Sequence, residues 1–166
     1  AYYGWGGLAP DSVETNTGSG PDYVVEHVML WQTDVNGHLL RQMQGSKLTH
    51  HPEPERFHLT QPDVHLYSQG KPLWQLTAAQ ADSPNPATDI WLSGNVIAVR
   101  QQGSEPLRLE TSRLHANPRG DRLDSPAAVR VISPRGTMTG VGLNVDLRTK
   151  SVELNSAVEV NYAPSY

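Results

Sequence analysis

From Tyr23 onward the apolar residues recur at every second position, in short runs that Gly and Pro interrupt. Val28 and Leu30 alternate in this way, as do Val64 and Leu66, Val96 and Ala98, and Val129 and Val131. Later come Leu143, Val145 and Leu147, then Val152 and Leu154, then Val158, Val160 and Tyr162. A period of two puts successive side chains on opposite faces of an extended chain, so each run predicts a strand with one dry face. Long helices have little room, because 14 Gly and 13 Pro punctuate the 166 residues. Residues 143–163 contain neither, yet their apolar positions stay two apart and change phase near Thr149 and Lys150, which predicts two strands and a turn.

These strands repeat. Units open at Val28, Val64, Val96, Val129 and Val158, in steps of 36, 32, 33 and 29 residues. Each reads as an apolar pair, a turn containing Gly, a second strand, a variable loop and a third short strand. A unit this short cannot bury its apolar face alone, so neighbours must stack and share a core. The expected fold class is all-β: a repeat-built antiparallel roll of two facing sheets and about a dozen strands, open at both ends, with essentially no helix. Asn36-Gly37 predicts a two-residue hairpin. Prolines 62, 72, 106, 126 and 134 fall beside turns or strand ends, where a missing N–H does little harm.

Residues 1–21 lack either hydrophobic period and are rich in Gly, Ser, Thr and Pro, so they read as a flexible leader outside the fold. The expected domain is 22–163, with 164–166 as a tail. Tyr2, Tyr3 and Trp5 among glycines suit a membrane–water interface, and the leader carries no Lys or Arg. A transmembrane helix preceding Ala1 is therefore expected, since no apolar run here approaches the ~20 residues a span requires.

Several chemistries are excluded or disfavoured. There is no Cys, hence no disulfide framework, thiol catalysis or Cys-ligated zinc. A net charge of −4 argues against nucleic acid as a partner. Serine-hydrolase, zincin, Walker A and dinucleotide motifs are absent, so no catalytic residue and no cofactor are assigned. His50, His51, Glu53, Glu55 and His58 form the densest group of potential metal ligands. They lie on a Pro-interrupted stretch that reads as a solvated loop, and no metal is assigned. Asp34-Val35-Asn36-Gly37 resembles part of a calcium loop but lacks the closing Glu, and a hairpin turn explains it better.

The apolar faces and the two sheet ends remain. A roll of this width either packs completely or leaves a trough that would suit acyl chains, and the sequence is compatible with both. The opening strand over residues 23–31 and the closing strand over 158–162 are apolar and unguarded by Lys or Pro, which suggests pairing with partner strands.

These residues converge on a family. The series Asp22-Tyr23-Val24-Val25-Glu26, Val28-Met29-Leu30, Asn36-Gly37, Leu48-Thr49-His50-His51-Pro52 and Pro62-Asp63-Val64-His65-Leu66-Tyr67 resembles the periplasmic domain of the LptC family of lipopolysaccharide export proteins. Gly136-Thr137-Met138-Thr139-Gly140-Val141-Gly142 and the terminal strand extend the match over 22–163. The sister bridge family, LptA, shares the repeat, but the aromatic leader favours LptC. The resemblance implies a non-enzymatic β-jellyroll, anchored by one helix to the periplasmic face of the Gram-negative inner membrane. It implies that lipopolysaccharide arrives from the inner-membrane ABC transporter and leaves to the bridge protein LptA. Acyl chains would lie against Val28, Leu30, Leu48, Leu59, Leu66, Leu76, Ile90, Leu92, Leu109, Val131, Val141 and Leu143. The transporter would pair with an N-terminal edge formed by Val24, Val25, Val28 and Leu30, and LptA with a C-terminal edge formed by Val158, Val160 and Tyr162. Arginines at the trough mouth would meet lipid phosphates, without the sequence saying which. A structural adaptor that joins partners through its edges and carries no lipid is the competing expectation.

Overall fold

The period-two runs fold into thirteen strands joined in one continuous antiparallel sheet. A computed structural model describes residues 4–8, 12–15, 20–85, 88–103, 105–117, 121–149 and 151–162. The strands are β1 (Gly4–Leu8), β2 (Ser12–Thr15), β3 (Tyr23–Thr33), β4 (Leu39–Pro52), β5 (Glu55–Thr60), β6 (Asp63–Ser68) and β7 (Lys71–Thr77). They continue as β8 (Gln80–Asn85), β9 (Asp89–Arg100), β10 (Leu107–Asn117), β11 (Arg122–Ser133), β12 (Gly136–Asp146) and β13 (Ser151–Tyr162). No helix occurs among the described residues.

The sheet folds into two facing layers because most strands break in the middle. In β4, residues 41–44 pair with β6 while residues 47–52 pair with β5. In β9, residues 89–93 pair with β8 and residues 97–100 with β7. The break lies at His27 (φ 52°) in β3, at Gly94 (φ 81°) and Asn95 (φ 51°) in β9, and near Gly142 (φ 82°) in β12. Register shifts mark it in β10 between Thr111 and Arg113, and in β11 between Ser125 and Ala128. An extra residue or a left-handed residue bends a strand sharply, and aligned bends crease a sheet into two walls. Val28, Val64, Val96 and Val129 all lie just beyond this crease, so the repeat seen in the sequence is the repeat of the crease.

Close approach of neighbouring residues fixes two glycines there. A Cβ on Gly45 would stand 2.3 Å from Leu59 Cδ1 and 2.9 Å from the Thr60 carbonyl, and one on Gly94 2.6 Å from the Ala79 Cβ.

The crease also changes the parity of burial, and the structure corrects three expectations. In β10 the buried positions are Leu109 before the shift and Leu114 and Ala116 after it. In β12 Gly140 is buried on one side, and Gly142, Leu143 and Val145 on the other, which leaves Val141 42% exposed rather than in the interior. In place of a short third strand in every unit, β3, β4 and β9–β13 are long strands that cross the crease, while β5–β8 have six or seven residues and lie on one wall each. The third correction concerns the hairpin: Asp34 N–H donates to the His38 carbonyl (2.9 Å), Gly37 N–H to the Asp34 carbonyl (3.1 Å), and only Gly37 has positive φ. This is a three-residue loop, and the Asp34 carboxylate accepts the N–H groups of Asn36 and His38, both at 2.9 Å.

Two further expectations change at the N-terminal end. β1 and β2 lie within the stretch read as a leader, and both pair with β3. The opening strand is therefore covered along residues 23–26 and 30–33 rather than free. Tyr2, Tyr3 and residues 163–166 lie outside the described residues. His50 and His51 lie within β4 and His58 within β5, not on a loop.

Candidate functional site

Directly opposed residues of adjacent strands share a face, so the pairing registers trace which side chains line each wall. One row runs across the first wall: Leu30, Met43, Val64, Leu76, Ala98, Leu109, Val131, Met138 and Val160, each opposite the next. The facing wall carries Val25, Leu48, Leu59, Ala81, Leu92 and Leu114 in the same relation. Farther from the crease, Ile90, Ala116, Leu123, Val145 and Val152 form a third row. Nothing polar interrupts these rows. A surface of this kind attracts apolar chains without directing them to one position.

Through the middle of the molecule the rows pack together. Leu76, Leu92, Leu109, Leu114, Leu123, Leu143 and Trp74 are fully buried. Of the twelve interior residues anticipated from the sequence, Val28, Leu48, Leu59, Leu66, Leu76, Ile90, Leu92, Leu109, Val131 and Leu143 are buried in one cluster, and Leu30 packs against it half-buried. Val141 is excluded by the parity change. Met43, Leu114 and Leu123 belong to the same cluster and were not anticipated, because no period-two apolar run in the sequence marks them, whereas Val145 is buried in phase with Leu143 as its alternation predicts.

Burial falls off towards β13. Along the first row Leu109 is sealed, Val131 is 8% exposed and Val160 is 44% exposed. Val158 (47%) and Tyr162 (82%) are exposed on the same strand. β13 pairs with β12 alone, so its outer backbone edge is unpaired among the described residues. The apolar interior thus reaches the surface at a free strand edge.

Where the walls part, opposite the crease, a cavity of about 230 Å³ opens. Its apolar lining includes Met43, Val64, Leu66, Leu73, Ile90 and Leu147, and three arginines also border it: Arg41, Arg122 and Arg148.

The polar clusters have structural explanations. His50 is buried, with its ring stacked on Tyr23 (4.7 Å between centroids) and tilted against Phe57 (4.6 Å), and its Nδ1 lies 2.6 Å from Asp22 Oδ1. On the outer face of the second wall His115 lies between Asp89 (2.8 Å) and Asp124 (3.1 Å), beside Trp91, over which Arg113 stacks at 4.1 Å. Burial and the nearby Asp22 and Glu55 carboxylates push the Tyr23 phenol above its ordinary value. Among the described residues no three of His, Cys, Asp or Glu gather to hold a metal ion.

An open-ended roll with an apolar interior occurs in more than one setting, so the fold alone does not assign a role. The sequence matches the family model described as lipopolysaccharide-assembly, LptC-related, over residues 2–163. The chain belongs to the LptC-related family. Its role is in lipopolysaccharide transport, as a periplasmic transport component with the β-jellyroll fold. Among solved structures it is similar to LptH of Pseudomonas aeruginosa, described as the LptA-homologous periplasmic component of the lipopolysaccharide transport device. The TM-score is 0.59 at 11% identity, with 75% of this chain and 95% of that one covered. Curated protein sequences give no match. No helix among the described residues is long and apolar enough to cross a membrane.

Proposed function

We propose that the apolar interior carries the acyl chains of lipopolysaccharide from the inner-membrane ABC transporter towards LptA. The observation that supports this most is the unbroken cross-strand row from Leu30 to Val160, sealed at its centre and exposed at the β13 edge. Chains enter where the walls part and leave along β13, where the backbone edge pairs with a strand of the next jellyroll. An acyl chain that separates the walls exchanges side-chain contacts for chain contacts, so little apolar burial is lost in the exchange. The family resemblance adds an inner-membrane anchor and a transporter contact at the N-terminal edge. That contact requires β1 and β2 to leave β3, or to be joined on their own outer edges.

The filled centre of the roll favours a second reading, an adaptor that joins its neighbours through strand edges and carries no lipid. Photocrosslinking amino acids at Leu66, Leu92 and Met138 separate the two. Lipopolysaccharide adducts at these positions in cells are the expected result. Their absence at all three, with the protein folded and incorporated in its complex, would leave the adaptor.

A further inference from the structure

We infer that the cavity where the walls part is a site for a phosphorylated acyl lipid, with Arg122 and Arg148 on one lip and Arg41 on the other holding the anionic headgroup. This rests on the lipid-carrying reading above and assigns the headgroup contacts within it. The two lips come from different walls. Arg41 precedes Met43 of β4 in the first wall, while Arg122 opens β11 and Arg148 follows β12 in the second.

The second lip is built by two turns fastened to each other. Leu147 N–H donates to the Asp121 carbonyl at 2.8 Å, which holds the β12–β13 turn against the start of β11 and brings Arg122 and Arg148 to one rim. Asp146, paired with Arg122 across β11 and β12, is the nearest acidic competitor. Its carboxylate oxygen already accepts the N–H groups of Arg148 (2.9 Å) and Thr149 (3.2 Å). Asp121 also borders the cavity and the Asp146 carboxylate acts on both Arg122 and Arg148, so three arginines stand against two carboxylates and the rim keeps a net positive charge. Arg122 and Arg148 are exposed, and Arg41 is half-buried, donating to the Gln32 side chain.

Beneath this cationic rim the floor is apolar: Met43, Val64, Leu66, Leu73, Ile90 and Leu147. An apolar floor under guanidinium groups is complementary to an amphiphile whose charge is anionic and multidentate, and phosphate fits the guanidinium fork. About 230 Å³ lies below the ~300–1,000 Å³ of whole small-molecule sites, so the cavity takes the first part of an acyl chain rather than a lipid entire. Met43 and Val64 belong to the long apolar row, so a chain seated here already touches the path towards β13.

The test is titration of the full chain with bis-phosphorylated lipid A, with the same lipid freed of phosphate, and with inorganic phosphate. It is repeated on Arg122→Gln/Arg148→Gln and on Arg41→Gln, with thermal melting as the folding control for these rim substitutions. The expected result is at least tenfold weaker binding of the phosphorylated lipid by the double variant, no change for the dephosphorylated lipid, and no uptake of inorganic phosphate. Equal binding of phosphorylated lipid by parent and variants overturns the arginine rim and leaves the lipid-carrying reading standing. Binding of inorganic phosphate as tight as that of the lipid overturns the lipid as occupant. If the parent binds neither lipid, the rim and the lipid-carrying reading fall together.

Discussion

At the residue scale, small side chains set local geometry that the apolar pattern cannot. Asp34 and Asp146 each fold a turn by accepting backbone N–H groups, from Asn36 and His38 in one case and Arg148 and Thr149 in the other. Those N–H groups favour the ionised carboxylate, so both pKa values are lowered from the ordinary 3.8. A depressed value in the folded state contributes stability that is complete above the ordinary carboxylate range and is lost as pH falls through the lowered value. Asp34→Asn and Asp146→Asn should therefore flatten the dependence of the melting temperature on pH below about 4, while leaving the rest of the curve in place. Interior residues behave differently. Leu76 is completely sealed, and Leu76→Ala should cost about 2–5 kcal/mol of unfolding free energy, measured by denaturant titration, because the closed centre cannot collapse onto the void.

At the scale of elements, the edges decide what the molecule can join. β13 presents an unpaired backbone edge and three exposed apolar side chains, Val158, Val160 and Tyr162. Proline at Val160 removes one donor and stiffens the chain without opening the core. If β13 is the proposed LptA edge, Val160→Pro should weaken LptA binding several-fold in a titration while the melting temperature changes little. Unaltered binding would put the contact elsewhere. The strands themselves were legible: residues 143–163 announced two strands and a turn, and the structure has β12, a turn at 147–149 and β13. What the pattern hid was each strand's passage through the crease. A period of two carries no record of an inserted residue, so Val141 seemed to be in phase with Leu143 although Gly142 reverses the faces between them.

For the whole molecule, the two ends of the roll are unlike. The C-terminal edge is free among the described residues, whereas β3 is covered by β1 and β2. At the N-terminal end β1 and β2, rather than β3, present the outer strand edges. Removing residues 1–19 should expose β3 and raise head-to-tail association of β3 with β13 of a second copy, read as a concentration-dependent increase in mass by light scattering. An unchanged monomer would mean that β1 and β2 do not guard the edge. The same asymmetry bears on the proposed transporter contact, since a partner strand at β3 must compete with one already in place.

The sequence by itself determined that this chain is a repeating antiparallel roll with a dry interior, because side-chain alternation and Gly/Pro punctuation act within a few residues. It also identified part of the interior: ten of the twelve anticipated residues are buried, among the twenty-three buried apolar residues of the described core. Only the tertiary structure decided which strands bend, that the centre is filled, that the N-terminal segment covers β3, and that Arg41, Arg122 and Arg148 meet around one cavity. Those outcomes depend on where two walls meet and part. The cavity joins Arg41 to Arg148, more than a hundred positions apart, a distance over which hydrophobic periodicity carries no information.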